Sequence, residues 1–128
     1  MAVNFNTDSV FNLKEIKLDS IRREVEGMLV EGEHPEMAFH TVRDQLIFTN
    51  RRIIAIDIQG MTGTRKSFTS LPYARIQYFT VQTPGFGEIF ADTELYIMFS
   101  NRFTARFEFK SKTDIGKLSR LIGAYALR

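Results

Sequence analysis

The stretch DQLIFTNRRIIAIDIQG, residues 44–60, decides the fold. Two runs of branched and aromatic residues flank TNRR, a short polar break carrying the adjacent arginines Arg51 and Arg52. In the second run Ile54, Ile56 and Ile58 alternate with Ile53, Ala55 and Asp57, a period of two that sends successive side chains to opposite faces of a strand. Two such runs joined by a tight polar turn form an antiparallel hairpin. An arginine pair at its tip suits phosphate, a lipid headgroup or an acidic partner, or it keeps the turn in water. Asp44 or Asp57 is the expected partner of one arginine across the hairpin.

The same period extends outward through residues 36–110. MAFHTVRD (37–44) precedes the hairpin, and a turn at GMTGT leads into the weaker strand RKSFTSL (65–71). After Pro72 come ARIQYFTVQ (74–82), ELYIMFS (94–100) and RFTARFEFK (102–110), where Phe103, Ala105, Phe107 and Phe109 alternate with polar residues. Seven short strands joined by compact turns, with no helix between them, imply antiparallel meander pairing and a mainly β sandwich or barrel. The connection TPGFGEIFADT, residues 83–93, carries Phe86, Ile89 and Phe90 where solvent is expected. Such a cluster marks an oligomer or partner contact, or else folds back to close the barrel end.

Helical periodicity flanks this β region. Ile21, Val25, Met28 and Leu29 fall on one stripe, Asp19 sits at an N-cap position, Gly32 at a C-cap position and Pro35 bars continuation, so a helix is expected over about residues 19–31. The preceding TDSVFNLKEIK is read as another turn or two. At the other end Ile115, Leu118, Ile122 and Tyr125 share a face, with Thr113 or Asp114 as the cap, and the amphipathic helix is expected to cover the open mouth of the barrel.

Composition narrows the classes of function. A chain of 128 residues is one domain in size. It contains no cysteine, which excludes disulfides and zinc–thiolate sites and fits a reducing compartment. No basic segment followed by an apolar run opens the sequence, and no apolar run approaches the roughly 18 residues of a bilayer span. A net charge of +2 is too small to argue for nucleic acid. A cytoplasmic location is the expectation.

GEHPEMAFHTVRDQLIFTNRRIIAIDIQG, ELYIMFSNRFTARFEFK and the closing helix, in the order of seven strands and then a helix, resemble the bacterial pleckstrin homology-like family of small single-domain proteins. The resemblance covers about residues 30–127, with the TNRR hairpin as its most specific piece. It implies a seven-stranded, strongly bent antiparallel sheet capped by the carboxy-terminal helix, residues 31–128, with residues 1–30 as an added helical extension. It also implies a recognition module for proteins or lipids. Single-domain members resemble ring formers, so a cyclic homo-oligomer is expected, five-fold in the first instance. The family brings no catalytic residues and no cofactor.

Arg51, Arg52, Arg65 and Lys66 are the candidates for binding a partner or an anion. Eukaryotic pleckstrin homology domains that hold phosphoinositides concentrate bases near the first hairpin, but here that turn is Arg43-Asp44-Gln45, one base beside one acid. GMTGTRKS, residues 60–67, lacks the contiguous Gly-Lys-Ser/Thr and the following helix of a phosphate-binding loop. RFTARFEF, residues 102–109, lacks the glycine of an RNA-recognition strand, and its rings are explained by a core. His34 and His40 have no third ligand in view, so no metal is expected. With no nucleophile–base set visible, the reading is a non-enzymatic interaction module that self-assembles and presents a polar surface to a protein partner. The alternative is a peripheral binder of anionic lipid headgroups through exposed arginine and lysine.

Overall fold

Alternation in the sequence becomes eight strands among the residues that the computed structural model describes, which are 9–83, 92–110 and 112–127, with the backbone alone for 9–11. They are β1 (Ser9–Ile16), β2 (Pro35–His40), β3 (Gln45–Thr49), β4 (Arg52–Gln59), β5 (Arg65–Pro72), β6 (Ile76–Gln82), β7 (Thr93–Phe99) and β8 (Thr104–Phe109). One helix, α1 (Ile115–Ala126), follows. The seven strands expected from the sequence are β2 to β8. The chain divides into two units, residues 15–72 and residues 9–14 with 73–127.

In the first unit β2, β3, β4 and β5 form an antiparallel meander. Ile47 lies opposite both Ala38 and Ile54, which fixes one apolar face. On that face Val25, Ala38, Ile47, Ile54, Ile56 and Ile58 form a buried cluster, with Ile16, Ile21, Leu29 and Phe68 packed against it. Every residue from Ile53 to Ile58 is buried, so β4 is covered on both faces. Phe39 meets Phe48 edge to face across the β2–β3 pair, with ring centroids 5.7 Å apart.

The helix expected over 19–31 is not formed. Its place is taken by two 3-10 turns, Leu18–Ser20 and Arg23–Met28, separated by extended backbone at Ile21 and Arg22. The apolar stripe is real, since Val25 is buried and Ile21 and Leu29 flank it. Side chains of the sheet bond the backbone of this segment, and one of the groups they take, the Ser20 carbonyl, is one that an α-helix would bond internally. Gln45 accepts from the Arg22 amide at 3.0 Å and donates to the Ser20 carbonyl at 3.1 Å, while Arg52 holds the Met28 carbonyl. Val25 and Gly27 add little helical propensity to oppose this. Gly32 does take a left-handed φ of +79°, but in the turn that leads into β2.

In the second unit β6, β7 and β8 are antiparallel, and residues 9–13 of β1 run parallel to β8. The segment read as further helical turns is therefore this strand. Its partner lies almost a hundred residues later, where local periodicity has no view of it. The register shifts between Val10 and Leu13, at an Asn12 with φ of 60°. Leu13, Leu95, Ile97, Phe99, Ala105, Phe107 and Phe109 are buried. Asp114 caps α1 by accepting the Lys117 amide at 3.0 Å. The helix buries Leu118, Leu121 and Ile122 and packs against β6 and a 3-10 turn at Tyr73–Arg75, where Tyr125 stacks on Tyr73 at 5.5 Å.

Ile54 has no exposed surface and belongs to the first unit's cluster. Ile54→Ala is expected to lower the unfolding free energy by about 2–5 kcal/mol in urea titrations. Asp114→Ala, which removes only the cap, is expected to cost about 1 kcal/mol.

Candidate functional site

TNRR is a hub whose residues divide the work. Thr49 is fully buried, and its hydroxyl accepts the amides of Arg51 and Arg52, both at 3.0 Å, while donating to Glu33 Oε2 at 2.7 Å. Asn50 clasps the strand before β2: its side chain accepts the His34 amide at 2.8 Å and donates to the Gly32 carbonyl at 3.0 Å. Arg52 turns inward. Its Nε and Nη2 grip the two oxygens of Glu33 at 2.9 Å each, Nη2 also reaches the Met28 carbonyl at 2.6 Å, and Nη1 donates to Ser70 at 2.9 Å.

The partner of Arg52 is therefore Glu33, and the two aspartates flanking the hairpin serve the sheet. Asp44 accepts the Ile58 amide at 2.9 Å, and Asp57 accepts from the Gln59 amide group at 2.8 Å. Glu33 accepts four hydrogen bonds, from Thr49, from the Val30 amide at 3.0 Å and twice from Arg52. Burial pushes its carboxyl up, but the bonds from Arg52, Thr49 and Val30 together hold it below the ordinary 4.5. The fork geometry of the guanidinium and a fully supplied carboxylate are what make a buried charge tolerable. Sequence reasoning missed Glu33, which sits 19 residues before Arg52 in a loop.

Arg51 remains exposed, and its guanidinium has no polar partner among the described residues. Arg65 is exposed and equally unpaired, while Lys66 bonds Glu24 at 2.6 Å. These candidates do not form one patch. Arg52 lies opposite Pro72 and Gln59 opposite Arg65, so the two pairs of bases stand at opposite ends of β4, roughly 23 Å apart at ~3.3 Å per residue.

The end that carries Arg65 and Lys66 has a third base, which the sequence reading did not select. Arg43, in the β2–β3 loop, donates to the Gly60 carbonyl at 2.6 Å and ties that loop to the β4–β5 turn. Both loops expose an aliphatic side chain, Val42 and Met61. The stretch with Phe86, Ile89 and Phe90 lies outside the described residues.

The second unit has its own polar network on the sheet face opposite the core. Arg106 Nη2 bonds Glu94 Oε1 at 2.5 Å and lies over the Tyr96 ring at 5.7 Å, and the Tyr96 hydroxyl donates to the other Glu94 oxygen. The Tyr96 and Arg106 bonds draw the Glu94 carboxyl down, and Glu94 in turn pushes the Tyr96 hydroxyl up. Both shifts arise chiefly from the bonds that tie Glu94 to Tyr96 and Arg106. His34 approaches Glu36 at 3.6 Å, and no group of metal-ligating side chains occurs among the described residues. No helix among the described residues is long and apolar enough to cross a membrane.

The bacterial PH domain family model matches residues 4–126. The chain belongs to this family. Among solved structures it is similar to a DUF1696 family protein with a pleckstrin-homology domain from Shewanella loihica PV-4, at a TM-score of 0.79 and 32% identity, covering 91% of this chain and 98% of that one. A pleckstrin homology domain from Shewanella amazonensis SB2B aligns at a TM-score of 0.68 and 34% identity over 90% of this chain and 92% of its own. Among curated proteins it is 30% identical to the uncharacterized protein YjqA of Bacillus subtilis over 91% of this chain and 93% of that protein. It is 34% identical to YozO of the same organism over 78% and 84% of the two chains. The mainly β architecture with a closing helix is thus that of a bacterial PH domain. The match begins at residue 4 and so runs through the segment read as an extension.

Removing Arg52 leaves the Glu33 charge buried and unanswered. Arg52→Ala is expected to cost about 3 kcal/mol in urea unfolding, whereas Arg51→Ala stays within about 0.5 kcal/mol. Because folding lowers the Glu33 pKa, its contribution is complete above the ordinary 4.5 and is lost as pH falls through the lower folded value. Unfolding curves between neutral pH and acid should show a smaller acid-induced loss in Glu33→Gln than in the parent.

Proposed function

We propose that this bacterial PH domain is a non-enzymatic interaction module that assembles with copies of itself into a closed ring and presents a polar sheet surface to a protein partner. Family membership supports the module, and one observation carries the assembly: the unequal protection of the strands that end each unit's ladder. β5 pairs with β4 alone among the described residues, and it opens with Arg65 and Lys66 and closes on Pro72. Charges and proline are the usual guards of a free edge. β6 pairs with β7 alone among the described residues, yet IQYFTVQ contains no charge and no proline and is rich in β-favouring residues.

An unguarded edge offers unpaired backbone groups to another chain. If it meets a different surface of the next copy, and the rotation closes, the product is a ring; if it meets its own equivalent, the product is a dimer. The polar surface is the outward face of β6 to β8, where Tyr78, Thr80 and Gln82 adjoin Glu94, Tyr96, Arg106 and Glu108. Tyr78, 56% exposed, gives that face a large amphipathic contact of the kind enriched in interfaces.

Light scattering on the purified chain at micromolar concentration tests the assembly. The expected mass is a closed multiple of 14.8 kDa, five-fold in the first instance. Placing charge on the edge with Tyr78→Lys and Thr80→Lys should reduce it to one chain without loss of the far-ultraviolet spectrum. A monodisperse monomer or a simple dimer of the parent chain contradicts the ring.

A further inference from the structure

Charge is unevenly placed along the chain. Residues 24–36 hold five glutamates and neither lysine nor arginine, whereas residues 110–120 hold four bases and one aspartate. Three of the glutamates are engaged within the first unit: Glu33 is gripped by Arg52, Glu24 pairs with Lys66, and Glu36 lies 3.6 Å from His34. Glu26 and Glu31 are exposed and form no ion pair among the described residues. Arg51, whose Nη2 lies 3.9 Å from where a Cβ on Gly32 would stand, offsets part of this charge. Beside Glu31 stands Val30, 58% exposed.

The outward face of α1 has the opposite character. Leu118, Leu121 and Ile122 are turned to the core, which leaves Lys117, Arg120 and Ala124 exposed, with Leu127 at the C-cap 77% exposed. The Asp114 carboxylate is committed to the cap, and neither Lys117 nor Arg120 forms an ion pair among the described residues. The face is also shallow. A Cβ on Gly123 would meet Leu127 Cδ1 at 3.5 Å, an ordinary contact, so packing within the chain does not demand glycine there. Glycine weakens a helix relative to alanine, and what it offers in return is close approach of another backbone.

We propose that the outward face of α1 in one copy docks on residues 24–31 of the next copy, with Lys117 and Arg120 facing Glu26 and Glu31, and Leu127 against Val30. This rests on the assembly proposed above and names the surfaces through which one copy holds the next. The helix face does not suit its own equivalent, because two rows of bases would repel. The contact therefore joins unlike surfaces, which is the kind that closes into a ring. α1 packs against β6, the strand with the unguarded edge, so the helix contact and the edge contact adjoin. Rim charges of this kind select the partner and set its register, and they make association sensitive to salt.

Light scattering and sedimentation velocity at micromolar concentration test the contact on four chains: the parent, Lys117→Glu with Arg120→Glu, Glu26→Lys with Glu31→Lys, and the chain carrying all four changes. Each reversed pair is expected to weaken assembly about a hundredfold or more, because it sets like charges against each other, and to leave the far-ultraviolet spectrum unchanged. The chain with all four changes is expected to regain the parent's mass, a recovery that a folding defect would not give. Parent and recovered chain should both loosen as salt is raised. A parent that is a monodisperse monomer overturns the assembly and this contact together. A parent that assembles while both reversed pairs assemble equally well, or a chain with all four changes that stays apart, overturns this contact and leaves the ring standing.

Discussion

A carboxylate with no exposed side-chain surface must be supplied with donors, and the residues around Glu33 are arranged by that demand. Arg52 gives two, Thr49 one and the Val30 amide one, which fills both oxygens. The same guanidinium then has donors left for the Met28 carbonyl and the Ser70 hydroxyl. One ion pair therefore joins the 3-10 segment, the loop before β2, the β3–β4 hairpin and β5. With so much of its bonding capacity used internally, Arg52 is held as a part of the first unit's frame, and its neighbour Arg51 is left to solvent. Arg51 lies in the turn and Arg52 opens β4, so adjacent arginines at the hairpin tip differ in role: one faces solvent and the other clamps Glu33.

How much of this was legible in the sequence depended on the range of the forces involved. The strands β2 to β8 announce themselves through a period of two that each hairpin reinforces locally. The Asp114 cap and the stripe Leu118, Ile122 and Tyr125 likewise mark α1 from within a dozen residues. The failures arise where a distant group decides. The stripe through Ile21, Val25 and Leu29 is a true record of which side faces the sheet, but Gln45 and Arg52 bond the backbone of the segment from the sheet, and its turns are 3-10. Ser9–Ile16 is a strand because β8 receives it, and nothing nearby in the chain says so. Glu33 lies in a run of acidic residues, Glu31, Glu33 and Glu36, and only its burial separates it from the others.

The candidate site was legible as a set of residue types and illegible as a place. Arg51 and Arg52, Arg65 and Lys66 look equivalent on paper, yet β4 holds the two pairs apart and they meet three fates: solvent for Arg51 and Arg65, an internal clamp for Arg52, and an ion pair to Glu24 for Lys66. The apolar tips were hidden for the opposite reason. Val42 and Met61 sit inside segments that pass for strand and turn, and only full exposure distinguishes them from core residues of the same type. Among the described residues β6 carries no charge, β7 and β8 carry a polar face, and the loops at 41–44 and 60–64 expose Val42 and Met61.

The internal role of Arg52 can be observed directly through the Nε–H protons of the arginines in nitrogen-labelled protein at neutral pH. The account requires the Arg52 proton to exchange slowly with water, shifted by its bond to Glu33, and to lose that protection in Glu33→Gln, while the Arg51 proton exchanges at the rate of a solvated side chain. An Arg52 proton that exchanges as fast as that of Arg51 would contradict it.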